Sequence, residues 1–210
     1  AEVKRASPSM GVIAMDIDPV AVAGDYLAAG AAGISVLTER DHFAGSPATL
    51  LAIRERHPDA LLLMKDFLVD EWQIARARAD GADACLLIVA LLGASGLGRF
   101  LRAAKALGVT ALVEVHDEEE MRIAAGEGAT LIGVNNRNLK TMDVSLETSA
   151  RLVPLAPPVA TLISESGLAR REELEWLGGL GYRGFLIGTT LMKAGQPGAA
   201  LAALLTDGAA

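Results

Sequence analysis

Eight short apolar runs rich in β-formers recur at nearly even spacing along 210 residues, and each is followed by an Ala-rich or charge-rich stretch of helical character. The spacing predicts strands at 1–5, 33–38, 61–67, 84–90, 110–115, 130–135, 160–165 and 184–189. Helices are predicted between and after them, at 18–29, 47–56, 70–79, 96–106, 117–125, 146–153, 170–177 and 197–205. No linker or shift of composition separates the units. Eight βα units in one unbroken chain predict an α/β fold, a single (β/α)8 TIM barrel domain over 1–210, rather than an open doubly wound sheet. An open sheet would carry a glycine-rich dinucleotide loop after its first strand, and Ala6-Ser7-Pro8-Ser9 is not one. The glycine-rich stretch 93–98 follows the fourth strand, lacks a phosphate-binding lysine and reads as a flexible loop. Punctuation agrees with the helices. Gly30, Gly81, Gly108 and Gly126 fall where left-handed C-terminal caps belong, while Asp18-Pro19 and Ser46-Pro47 fit an N-cap followed by proline.

Composition narrows the partners. Apolar residues make up 51% of the chain but aromatics only 4%, as expected when strands are covered on both faces by Ala-rich helices. A net charge of -7 without a basic stripe argues against nucleic acid. The longest uncharged run, 84–98, is 15 residues, is interrupted by glycines, and falls short of the roughly 20 that span a bilayer, so no membrane is expected either. A single cysteine, Cys85, makes no intramolecular disulfide and reads as core, and no signal-like segment opens the chain; a cytoplasmic setting is expected. The chain begins at Ala1 rather than Met, which reads as removal of upstream residues.

A barrel places its active site at the C-terminal strand ends, so the polar residues there carry the weight. They are Glu2 and Lys4 on the first strand, Lys65 on the third, Glu114 on the fifth, Asn135 with Arg137 on the sixth, and Glu165-Ser166 on the seventh. Leu63 and Lys65, Leu112 and Glu114, Gly133 and Asn135, and Ile163 and Glu165 share parity, which turns each polar group toward the barrel axis. Three cations interleaved with three carboxylates suit acid–base chemistry on an anionic substrate. Ser166-Gly167 and Gly188-Thr189 follow the last two strands, where barrels grip phosphate, so a phosphorylated small molecule is the expected partner. Other constellations carry little. His42, His57 and His116 lack metal-ligand spacing, Asp16 and Asp18 lack a calcium-loop pattern, and no metal is expected. His116 reads as solvated, and Glu118, Glu119 and Glu120 as first-turn charges favoured by the helix dipole.

These strand ends are similar to those of a known family. The stretches AEVKRASPS at 1–9, SVLTERDHFAGS at 35–46, LLMKDFLVDEWQI at 62–74, GADACLLIVALL at 81–92, LVEVHDEEE at 112–120, IGVNNRNLKT at 132–141, SESGL at 164–168 and LIGTTLM at 186–192 resemble indole-3-glycerol phosphate synthase, a lyase and decarboxylase of tryptophan biosynthesis. LMKDF and NNRNLKT carry the specificity; SESG and IGTT are shared by several phosphate-binding barrels. The resemblance implies conversion of 1-(2-carboxyphenylamino)-1-deoxyribulose 5-phosphate to indole-3-glycerol phosphate, with loss of carbon dioxide and water and no cofactor. It implies Lys65 as general acid, ion-paired with a carboxylate such as Glu114, and Lys4 as a second cation with Glu2 as its partner base. Asn135 and Glu165 would orient the sugar hydroxyls, and Arg137 would meet the anthranilate carboxylate. Phe43, Phe67 and Leu86 would wall the ring, Leu186 would also contact substrate, and Ser7, Ser166, Gly167, Gly188 and Thr189 would cradle the phosphate. The family carries an N-terminal capping helix that this sequence lacks, so exposed mouth residues such as Phe67 and Leu86 and weakened catalysis are expected of these residues alone. A monomer or weak oligomer is expected. A phosphoribosylanthranilate isomerase, a Schiff-base aldolase and a non-catalytic phospholigand-binding barrel are the alternatives.

Overall fold

The computed structural model describes residues 1–206, so the last four residues of the domain expected over 1–210 lie outside the described residues. Eight parallel strands pair in chain order: β1 (Glu2–Val3), β2 (Ile34–Leu37), β3 (Leu62–Lys65), β4 (Ala84–Ile88), β5 (Thr110–Val115), β6 (Leu131–Asn135), β7 (Thr161–Glu165) and β8 (Gly184–Leu186). The Glu2 amide donates to the Ile187 carbonyl at 2.9 Å and joins β1 to the end of β8, which closes the (β/α)8 barrel. Its helices are α1 (Pro19–Ala28), α2 (Pro47–Arg56), α3 (Trp72–Ala79), α4 (Val89–Leu107), α5 (Glu118–Gly126), α6 (Glu147–Leu152), α7 (Arg171–Leu180), α8 (Thr189–Lys193) and α9 (Pro197–Leu205). Asp18 and Ser46 cap as their sequences require, accepting from the Val20 and Ala48 amides ahead of Pro19 and Pro47. None of these helices is long and apolar enough to cross a membrane.

Strand alternation divides the core into two clusters. Val36, Met64, Leu87, Val113 and Ile132 face outward into the layer between sheet and helices, joining Leu50, Ile74 and Phe100. Leu86, Ile88 and Leu112 face inward and pack with Leu63, Leu131, Ile163 and Leu186. Each such side chain contributes roughly 1.5–3 kcal/mol on burial, and the inner cluster forms the floor beneath the mouth. Cys85 is fully buried and its thiol is pushed up to about 12 by burial, so it is core rather than nucleophile.

Several boundaries differ from the sequence-based expectation. Residues 93–98 are not a loop throughout: Gly93 (φ 61°) is non-helical and breaks α4 at a kink, and the helix resumes after it. Leu97, Phe100 and Ala104 recur at helical spacing and are almost wholly buried, and that apolar stripe outweighs the low helix propensity of three glycines. Gly126 ends α5 in helical conformation, and the left-handed residue beyond it is Gly128 (φ 78°). Strands β1 and β8 are shorter than expected. After Val3 the chain turns into a hairpin pairing Ala6–Ser7 with Gly11–Val12, and after Leu186 it turns into α8, which was not among the expected helices.

Candidate active site

The residues assigned to the mouth all line one cavity of about 400 Å³ at the C-terminal strand ends. Glu2 comes from β1, Lys4 from just past it and Ser7 from the hairpin; Phe43 comes from the loop after β2. Lys65 ends β3 with Phe67 beyond it, Leu86 rises from β4 and Glu114 from β5. Asn135 ends β6 ahead of Arg137, Glu165 ends β7 ahead of Ser166 and Gly167, and Leu186, Gly188 and Thr189 close the ring from β8. Register explains the gathering: Ile88 pairs with Glu114, Glu114 with Gly133, and Asn135 with Glu165, so inward polar groups on separate strands share nearly one level.

Three carboxylates are buried there, with Glu2 and Glu114 3% exposed and Glu165 1%. Lys65 Nζ donates to Glu165 Oε2 at 2.5 Å and lies 3.6 Å from Glu114 Oε2, so its nearer partner is Glu165 rather than Glu114. Lys4 Nζ pairs with Glu2 Oε1 at 2.8 Å, and Ser35 Oγ donates to Glu2 Oε2 at 3.3 Å. Two glycines make room. A Cβ at Gly133 would collide with the Glu165 carboxylate, and one at Gly188 would collide with that of Glu2. Burial opposes the charge on Glu114, yet Lys65 and then His116 outweigh it and lower its pKa to about 2. Burial raises Glu165 to about 7 despite Lys65, with Glu114 and Glu2 adding to the rise. Burial also opposes the charge on Lys65, but Glu165, Glu114 and Glu2 hold it above the usual lysine range. Glu165 Oε1 is buried without a hydrogen-bond partner, set in the space left by the missing side chain of Gly133.

Arg137 sits on the rim, where its amide donates to Asn135 Oδ1 at 3.0 Å and Nη1 to the Met142 carbonyl at 2.9 Å. The Phe43 and Phe67 rings stand 6.2 Å apart, tilted by 56°. Phe67 is 45% exposed, but Leu86 is not exposed as expected: it is 3% accessible, because it belongs to the inner cluster below the rim.

Among the residues in and around the site that have no site role in the sequence, three shape it most: Glu39, His116 and Asn136. Glu39 accepts the amides of Asp41, His42 and Phe43 at 2.9, 2.8 and 3.1 Å and so shapes the loop that presents Phe43. His116 is not solvated; only 10% of its side chain is accessible, because Glu114 and Glu120 enclose the ring. Asn136 is buried on the helix side of β6, where alternation calls for an apolar residue, and that polar exception was the visible signal. Its Nδ2 donates to Ser164 Oγ and to the carbonyls of Glu165 and Ser166, while its Oδ1 accepts from the amide and hydroxyl of Ser149. This network holds Ser166 at φ 68°, a conformation costing a non-glycine residue roughly 1–2 kcal/mol. Asn136→Ala orphans several buried groups and should cost about 3 kcal/mol, a fall in Tm of roughly 6–12 °C for a domain of this size. Thermal unfolding by circular dichroism measures it, and an unchanged Tm would show the network to be unimportant.

A closed parallel barrel with lysines and carboxylates gathered at its C-terminal mouth, beside the turns at Ser166-Gly167 and Gly188-Thr189, defines a barrel enzyme of acid–base chemistry. The family model for indole-3-glycerol phosphate synthase matches residues 1–204, and the chain belongs to that family, the carboxy-lyases of tryptophan biosynthesis. The indole-3-glycerol phosphate synthase of Carboxydothermus hydrogenoformans is 45% identical over 206 residues, covering 98% of this chain and 78% of that one. That of Desulfotalea psychrophila is 47% identical over 204 residues, covering 97% and 78%. The crystal structure of 3-hexulose-6-phosphate synthase from Salmonella typhimurium superposes with a TM-score of 0.73 at 17% identity, covering 88% of this chain and 90% of that one, a likeness of fold alone.

Proposed function

We propose that this chain closes the indole ring of 1-(2-carboxyphenylamino)-1-deoxyribulose 5-phosphate with Lys65 as general acid, releasing carbon dioxide and water to leave indole-3-glycerol phosphate. The observation that carries this reading is the Lys65 ammonium, set between Glu165 and Glu114 on the wall of the cavity beside the two phenylalanines. The aryl nitrogen of the substrate pushes electrons toward the ring carbon that attacks the ketone, so the protein must hold the two carbons together and protonate the carbonyl oxygen. Lys65 supplies that proton. Carbon dioxide departs as the ring regains aromaticity. The hydroxyl then leaves as water with a second proton, and a proton is lost from the carbon beside nitrogen. The Lys4–Glu2 pair is suited to this second stage, with an acid and a base 2.8 Å apart.

Asn135 and Glu165 serve the sugar hydroxyls in this reading, and Arg137 serves the substrate carboxylate. Ser7 and the turns at Ser166-Gly167 and Gly188-Thr189 hold the phosphate through hydroxyls and backbone amides. A Schiff-base role for Lys65 is disfavoured, because three carboxylates hold it charged and an attacking amine must be neutral.

The rise of indole fluorescence on adding the carboxyphenylamino substrate tests the reaction directly; no product over hours would overturn it. Glu165 ionises near pH 7, so it stands charged beside Lys65 above that value and protonated below it. We therefore expect kcat/KM to fall as pH drops through about 7. A profile flat to pH 5 would remove Glu165 from the working form of the site.

A further inference from the structure

We propose that His116 is a positioning residue for this reaction: an imidazolium clamped between Glu114 and Glu120, it is the third cation of the buried site and keeps the carboxylates around Lys65 ionised. Geometry assigns the charge. Its Nδ1 lies 2.9 Å from Glu120 Oε2, and its Nε2 lies 3.2 Å from Glu114 Oε1, at ion-pair distance though off the line of a good hydrogen bond. Ionised carboxylates only accept, so Nδ1 donates to Glu120, and a proton on Nε2 faces Glu114 at ion-pair distance without completing a hydrogen bond; the ring protonated on both nitrogens is the form that suits two facing carboxylates. Glu120 Oε2 also accepts the His116 amide at 2.8 Å, which locks the ring against the first turn of α5, and Asp117 fixes Glu120 by accepting its amide at 2.9 Å. Burial works against the charge, but the two carboxylates outweigh it and raise the ring's pKa to about 10.

The charge balance of the site explains what the ring does. Glu2, Glu114 and Glu165 face only Lys4 and Lys65, and a buried carboxylate in excess takes up a proton. An imidazolium beside Glu114 offsets part of that excess from outside the cavity, which His116 does not line, although it shares its charge with Glu120. The charged groups facing the ring are Glu114 from β5 and Glu120 from α5, with Lys65 of β3 standing beyond Glu114. Together they form a line from the surface turn of α5 to the acid. Removing the cation raises the proton affinity of the whole carboxylate group, whichever member governs the acid limb.

This inference rests on Lys65 as the acid. In His116→Gln the acid limb of the kcat profile should move up by roughly one pH unit, with kcat at pH 7 about fivefold lower, KM within about threefold, and activity recovering toward wild type as pH rises. His116→Lys, which returns a cation, should bring the limb back. A limb at the same pH in both variants, or an equal loss of kcat at every pH, would overturn the proposal. A direct measurement needs no variant: with three histidines in the chain, the His116 ring resonances are assignable, and they should report imidazolium through pH 8. A neutral ring at pH 7 would overturn the proposal even if His116→Gln failed to fold. Lys65→Ala separates the two ideas. If that variant kept its turnover, the acid assignment itself would fall; if it lost turnover while His116→Gln kept its limb, only the role of His116 would fall.

Discussion

Lys65→Ala is expected to lower kcat at least about 100-fold, the range over which a positioned acid acts, while product affinity stays within about tenfold. The split follows from where the groups sit. Lys65 ends β3, whereas the candidate phosphate turns follow β7 and β8, so the variant loses transition-state protonation and keeps most ground-state contacts. The same substitution leaves Glu165 without its 2.5 Å partner and Glu114 without its 3.6 Å one. Those buried carboxylates then bind protons more tightly, so the stability of the variant relative to wild type should fall as pH rises from about 4.5, the ordinary carboxylate value, through their raised folded-state values. Kinetics, calorimetry with product and unfolding at several pH values measure these effects separately. More than roughly a tenth of the wild-type kcat in the variant would exclude Lys65 as the acid, since such groups contribute about 10²–10⁴-fold.

The second large effect is expected at Gly188. Gly188→Asp should raise KM for the phosphorylated substrate by more than about 100-fold, because its carboxylate would enter beside the backbone amides proposed to hold the phosphate. Glycine is required here by close approach and not by backbone angle, since φ is −125°. A Cβ at this position meets the Glu2 carboxylate and lies 3.0 Å from the Glu2 Cβ, so an added side chain also disturbs the Lys4–Glu2 pair. Gly188→Ala separates the two causes: it keeps the collision and omits the charge, and should cost less affinity. Sulfate protection against thermal unfolding reads the anion site without catalysis. Equal protection of wild type and Gly188→Asp would place the phosphate elsewhere.

The barrel and most of its mouth were legible in the sequence because both depend on local periodicity. Alternation along β3, β5, β6 and β7 orients Lys65, Glu114, Asn135 and Glu165 inward, and a closed sheet can aim inward groups at its strand ends only into one opening. Helix ends were legible where a capping side chain adjoined proline, as at Asp18 and Ser46. Residues 93–98 misled because glycine counts against a helix locally, whereas the stripe of Leu97, Phe100 and Ala104 gains its stability from the sheet it covers.

Taken alone, the sequence determined the eight units, the inward set and the family resemblance carried by LMKDF and NNRNLKT. Only the tertiary structure decided which charge meets which. Lys65 and Glu165 are 100 residues apart, and their pairing depends on strand register and on the space left by the missing side chain of Gly133. The same holds for His116. A histidine just past a strand end has no intrinsic preference between solvent and burial, and it is the packing of α5 back against β5 that brings Glu120 and Glu114 to its two nitrogens. Facing direction is set by bonds along the chain, whereas ion pairing is set by distances through space, which the chain acquires only when the barrel closes.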